Sequence, residues 1–202
     1  MKAADLSRLI LGFAIIAALV AAWLGYDRLF GGRPDPETIA RASLAGIQEQ
    51  SRLVPFTARY VAVVTARESR FGLTAQKTLI LPGTVRYELD LEKLKADDLH
   101  WDADARRLDI SLPPIEIGGP EFALGEMREY RDGELVLALT DAEGRLDVAN
   151  RNAAKRQLIA EARGETPMKL ARAASINAMQ AAFAMPLRAA GIDAKVAAHF
   201  EE

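Results

Sequence analysis

The chain has 202 residues, 50% of them hydrophobic and 27% charged, with no cysteine and a formal net charge of −2 at pH 7. This excludes disulfides, cysteine-ligated metals and thiol chemistry, and it argues against a nucleic-acid partner. About 170 residues remain once the first thirty are set aside, enough for one domain with its own core. The charge is unevenly spread: residues 85–144 carry 7 basic and 16 acidic side chains, a balance of −9, whereas residues 145–188 carry 8 basic and 3 acidic, a balance of +5. An acidic middle packed against a basic, Ala-rich C-terminal third would neutralise both.

Residues 9–26, LILGFAIIAALVAAWLGY, hold no charge. As a helix rising about 1.5 Å per residue they span about 27 Å, close to the hydrocarbon thickness of a bilayer. Trp23 and Tyr26 fall at its C-terminal end, where amphipathic aromatics favour the headgroup boundary. Lys2 and Arg8 ahead of an apolar run also fit an export signal, with Val20, Ala21 and Ala22 as a small-residue cleavage site. Bulky Trp23 and Leu24 follow that site and the run continues past it, which favours a retained transmembrane helix. The resulting organisation is an anchor over residues 1–30, a hinge over 31–36 (GGRPDP) and a single domain over 37–202. A tail of eight residues before a span ordinarily stays inside, which places the domain outside the cytoplasm.

Asp35 can cap a helix with Pro36 at its first position, and Ile39, Leu44 and Ile47 give it an apolar face ending near Gln50. Val54, Phe56, Ala58, Tyr60, Ala62 and Val64 then share one parity, which predicts a strand. LTAQKTLIL reads as its neighbour through Arg70-Phe71-Gly72, and Pro82-Gly83 is expected to break the chain. In TVRYELDL, Val85, Tyr87, Leu89 and Leu91 point inward while Arg86, Glu88 and Asp90 point outward. Leu99 and Trp101 precede a turn at Asp102–Ala105, and Leu108, Ile110 and Leu112 return before Pro113-Pro114 ends the strand. Between Ile115 and Leu139 the pattern is weak: Gly118-Gly119-Pro120 and Asp132-Gly133 read as turns and ELVLAL as a short strand.

Two helices follow. The first starts at Asp141 or Asp147 and runs to Arg163, with Gly164 as its stop. The second is capped by Thr166 ahead of Pro167, buries Leu170, Ala174, Met179 and Phe183, and kinks or ends near Pro186. Ile192, Ala194, Val196, Ala198 and Phe200 alternate as a last strand. Strands first and helices after predict an α+β fold, with one antiparallel or mixed sheet packed on two long C-terminal helices.

A membrane span followed by LVPFTARYVAVVTA, PGTVRYELDLEKL, RLDISLPPIEI, two Ala-rich helices and a terminal strand resembles the bacterial family known as domain of unknown function 4230. The resemblance covers residues 53–200. It rests on Gly83, the pair Asp90-Leu91 and the pair Leu112-Pro113, while Glu88 and Leu89 stand where the family often has a second glycine. It implies a membrane-anchored protein and no established activity, and it marks those five residues as structural.

Candidates for chemistry are few. His100 and His199 each lie on a predicted strand, and Ser111 lacks the Gly-x-Ser-x-Gly turn that would expose a nucleophile. Asp97, Asp98, Asp102, Asp104 and Asp109 crowd one hairpin, where Asp102 and Asp104 are the foremost candidates for a divalent metal. Aspartate is also a turn residue in its own right, which is the favoured explanation. Asp90 suits a helix or turn cap. Arg151, Lys155, Arg156, Lys169 and Arg172 could touch anionic lipid or an acidic partner. The functional expectation is therefore a membrane-anchored, non-catalytic binding or assembly domain without a cofactor, attached to the membrane through residues 9–26 and open to a protein partner. The alternative is a metal-dependent enzyme using the carboxylates at residues 97–109.

Overall fold

The computed structural model describes residues 35–70, 72–134, 137 and 141–201. The apolar segment 9–26 and residues 31–34 of the hinge lie outside the described residues. Among those described, no helix is long and apolar enough to cross a membrane.

The fold opens at the expected cap. The Asp35 carboxylate accepts a hydrogen bond from Thr38 N at 3.1 Å, and Pro36 takes the first helical position, where a missing N–H costs nothing. Helix α1 (Pro36–Gln48) buries Ala40 and Leu44. Strands β1 (Arg52–Arg70) and β2 (Leu73–Asp90) then form one long antiparallel hairpin that turns at Gly72, whose φ of 77° suits glycine. The predicted parity of β1 holds from Phe56 onward and fails at Val54, which is exposed. A register irregularity between Leu53 and Phe56 exchanges the two faces there.

Pro82-Gly83 does not break the chain. β2 runs through both residues because Pro82 falls between two partners: β6 (Arg128–Asp132) pairs with Gln76–Ile80, and β5 (Glu116–Phe122) pairs with Gly83–Glu88. On that side no strand residue stands opposite the N–H that proline lacks, and the Pro82 carbonyl accepts from Ala123 N at 2.9 Å, while on the other side Pro82 faces Val61 of β1. Gly118-Gly119-Pro120 likewise is not a turn but part of β5. Gly118 stands opposite Arg86 and Glu121 opposite Thr84, so Gly119 and Pro120 share the space across from Val85 as a bulge. β6 escapes sequence reading because all five of its residues are exposed and none marks an inner face. Of the stretch expected as a strand at residues 134–139, most lies outside the described residues; Glu134 and Leu137 are helical.

β3 (Leu99–Asp102) and β4 (Arg107–Leu112) form the predicted hairpin, and β7 (Lys195–Phe200) adds parallel to β4. The single sheet expected from the sequence is therefore two. β1, β2, β5 and β6 make one, and β3, β4 and β7 make the other. Pro113-Pro114 ends β4 and carries the chain from the second sheet to the first.

Helix α2 (Ala142–Ala162) packs on β1, β2 and β5, and α3 (Glu165–Ala189) packs on β7, α1 and β1. Gly164 donates to Glu161 O at 3.0 Å and is itself the residue before α3, so Thr166 and Pro167 lie in the first turn rather than at the cap. α3 buries Ala171, Ser175, Met179, Phe183 and Leu187, a line stepping by four. That line leaves Leu170 exposed and Ala174 half-buried, contrary to expectation. Pro186 returns no N–H to the turn before it, and α3 ends at Ala189 shortly after, the finish expected near this proline.

One core joins α1, α3 and the second sheet through Leu44, Leu91, Ile110, Met179 and Phe183; another joins α2 to the first sheet through Ala62, Leu79, Leu81, Ala154 and Leu158. Gly83 lets α2 come close, since a Cβ there would stand 2.7 Å from Leu158 Cδ1. The acidic middle and the basic third do pack, but among the described residues no ion pair joins them. Neutralisation instead runs across the first sheet, as in Arg52–Glu116 and Arg86–Glu121, and from β1 to the turn Leu124–Glu126, as in Arg59–Glu126.

Candidate functional site: a cleft at the seam of the two sheets

Asp90 closes β2. Its carboxylate accepts from Glu92 N at 3.2 Å and caps the single turn Leu91–Lys93, the capping role expected of it. That turn drives Leu91 into the core and swings Lys93 out, where its ammonium pairs with Asp90 at 3.4 Å and with Glu116. Across from it, Leu112 ends β4 with its side chain buried, and Pro113 begins the crossing to β5. Between these parts and the first turns of α3 lies a cleft of about 370 Å³, lined by Lys93, Leu112, Pro113, Met168, Arg172 and Phe200 among others. Leu112 and Pro113 therefore do more than end a strand: they form a wall.

Arg172 is the one candidate lipid- or partner-contact residue that this cleft receives. Its guanidinium carbon sits 5.8 Å from the centroid of the Phe200 ring, within reach of a cation–π contact. Among the described residues it has no carboxylate partner, whereas the other cation of the cleft, Lys93, is held by Glu116 and Asp90, with its pKa raised first by the Glu116 hydrogen bond. Two carboxylates share the rim. Asp98 accepts from Lys95 N at 2.7 Å, and Glu201 is exposed. Lys169 lies exposed nearby on α3, while Arg151, Lys155 and Arg156 lie exposed on α2 and do not join the cleft. The sequence places five cations on two helices; of these, the fold brings Arg172 to this cleft.

The carboxylates singled out for metal binding do not converge: each has its own local surroundings. Asp102 Oδ1 accepts from Ala105 N at 2.9 Å, Asp109 pairs with Arg107 at 2.8 Å, and Asp104 is exposed at the turn. Among the described residues no group of three or more histidines or carboxylates is placed to hold a metal ion. His100 stands opposite Asp109 in the β3–β4 ladder. His199 Nε2 lies 3.4 Å from Ser111 Oγ across β4 and β7, an exposed cross-strand pair to which no described residue adds the third, orienting group that a serine nucleophile uses.

Sequence reasoning overlooked two buried charges on β2. Lys77 is only 2% exposed, and its ammonium meets Glu129 at 2.9 Å, Glu143 at 3.9 Å and Asp147. Burial by itself lowers its pKa, but the hydrogen bonds to Asp147 and Glu129 outweigh that and leave it raised, so the group stays an ammonium. Asn150 Nδ2 donates to the Lys77 carbonyl at 2.8 Å, tying α2 to the same residue. The signal was present: Lys77 shares the inward parity of Ala75, Leu79 and Leu81. On the opposite face, Glu88 is held by Arg86 and Arg52, each at 3.0 Å, which lowers its pKa below the usual carboxylate value, Arg86 first. Gly118 leaves room for it, since a Cβ there would stand 2.2 Å from Glu88 Oε1. Tyr87 hydroxyl donates to Ala162 O at 2.9 Å and lies 2.7 Å from the Tyr60 hydroxyl; burial raises its pKa far above the usual phenol range, keeping it a neutral donor.

A two-sheet α+β domain with an amphipathic cleft at the seam defines the class. The family model described as "Protein of unknown function (DUF4230)" matches residues 45–197, and the chain belongs to that family. Neither the curated proteins nor the solved structures contain a match to the chain.

Proposed function

We propose that this protein is a membrane-tethered, non-catalytic binding domain whose ligand site is the seam cleft, and that the ligand is a small anion with an apolar body. Residues 9–26 are the tether, with the domain outside the cytoplasm. The observation that carries the reading is Arg172. Its guanidinium lies against Phe200 at the cleft and has no carboxylate partner among the described residues, while Leu112, Pro113 and Met168 supply apolar wall. An exposed guanidinium held against an aromatic ring favours carboxylate or phosphate, which it can bind with two parallel hydrogen bonds.

The test is thermal unfolding of the full chain in detergent with a panel of alkyl carboxylates and alkyl phosphates. Binding to the folded state raises the midpoint with the logarithm of ligand concentration over Kd. Stabilisation that grows with chain length and disappears in Arg172→Ala supports the site. Equal stabilisation of wild type and Arg172→Ala, or no shift with any anion, overturns it.

A further inference from the structure

We infer that two copies of this chain pair edge to edge along β1, antiparallel about a two-fold axis through Ala62. β1 is the end strand of its sheet, so one of its edges carries backbone groups that no described strand satisfies. It is 19 residues long, and Val61 and Val63 at its middle are 48% and 57% exposed.

The second copy is specified by the sequence of the edge itself, TARYVAVVTAR at residues 57–67, which is nearly self-complementary when reversed. With the axis at Ala62, Val61 of each copy faces Val63 of the other. Arg59 faces Thr65, Thr57 faces Arg67, and no like charges meet. On the inner face Tyr60 faces Val64 and Ala58 faces Ala66. Cross-strand apolar pairs of this kind each add stability, and like charges directly opposite remove it. Sliding the axis to Val63 would set Arg59 against Arg67, and a slip of half that step would turn every inner residue outward. An axis normal to the sheet keeps the helices of both copies on the common inner face. It joins two four-stranded sheets into one of eight, an isologous contact that closes on itself.

The absence of cysteine makes the register directly readable. Differently tagged full-length chains carrying Val61→Cys and Val63→Cys are co-expressed and oxidised mildly in membranes. Facing residues lie within disulfide range, whereas two copies of residue 61 are offset diagonally by about 7–8 Å. The 61–63 disulfide is expected about tenfold above 61–61 or 63–63. In detergent, wild type should have twice the chain mass at micromolar concentration, and Val61→Arg/Val63→Arg should have the mass of one chain with an unchanged circular-dichroism spectrum. A single-chain mass for wild type, equal 61–61 and 61–63 crosslinking, or a dimer indifferent to V61R/V63R, as association through residues 9–26 alone would give, overturns the inference.

Discussion

The two charges buried along β2, Lys77 and Glu88, lie on opposite faces of one strand and are satisfied in different ways. Lys77 points under α2, with its whole side chain sealed and its carboxylate partners supplied by β6 and α2. Glu88 points to the open face, where Arg52 of β1 and Arg86 of its own strand reach over it from positions that stay partly in water. The inner charge ties separate elements together, so removing it strands carboxylates beside a cavity. The outer charge belongs to a network of Arg52, Arg86, Lys93, Asp90 and Glu116 that solvent can repair. The depth of a charge, more than the number of its partners, sets what its loss costs.

The largest effect should follow from Lys77→Ala. It leaves Glu129 and Asp147 facing each other without a cation, and it should lower the unfolding free energy by about 3 kcal/mol, the lower end for a broken buried pair because both carboxylates keep some contact with water. Denaturant titration measures it; a loss as small as that of Glu88→Gln would erase the distinction between the two faces. Next comes Gly118→Ala, whose methyl would displace the Glu88 carboxylate from both arginines and cost about 1–2 kcal/mol. In a Gly118→Ala/Glu88→Ala double variant the clash is gone, so the two losses should be markedly less than additive.

The pH dependence separates the faces further. The folded-state pKa of Lys77 is raised above its ordinary 10.5, so its contribution is fully present below that value and is lost as pH rises through the raised pKa. Glu88 is lowered from its ordinary 4.5, so its contribution is present above 4.5 and is lost as pH falls through the lowered pKa. Lys77→Met should flatten the alkaline limb of the stability profile and leave the acid limb, and Glu88→Gln should do the reverse. The smallest effect belongs to Asp104→Ala, an exposed turn residue with no partner among those described, which should change stability by less than about 0.5 kcal/mol. Calorimetry of wild type with millimolar Ca²⁺ or Mn²⁺ should give no heat that Asp104→Ala removes.

Legibility followed contact with the core. Val85, Tyr87, Leu89 and Leu91 were readable because each alternate residue is buried and the pattern survives in the letters. β6 was not, because a strand with every residue exposed leaves no such record. Leu170 suits the buried side of α3 by its apolarity, yet an alanine-rich helix offers several equivalent lines, and the buried one passes through Ala171 and Ser175. Asp90 as a cap was legible from local chemistry alone. Arg172 was one of five similar cations until Phe200, more than twenty residues away, selected it.

What the sequence determined by itself is what lies within a few residues: the Asp35 cap, the turn at Gly72, the hairpin at Asp102–Ala105 and the alternation of each core-facing strand. Only the tertiary structure decided that Pro82 could remain inside a strand, that the strands would divide into two sheets, and that Lys77 would be buried. The reason is physical. Caps, turns and periodicity arise from backbone geometry and nearby hydrogen bonds, whereas tolerance of a missing N–H or a buried ammonium depends on which distant group arrives opposite it.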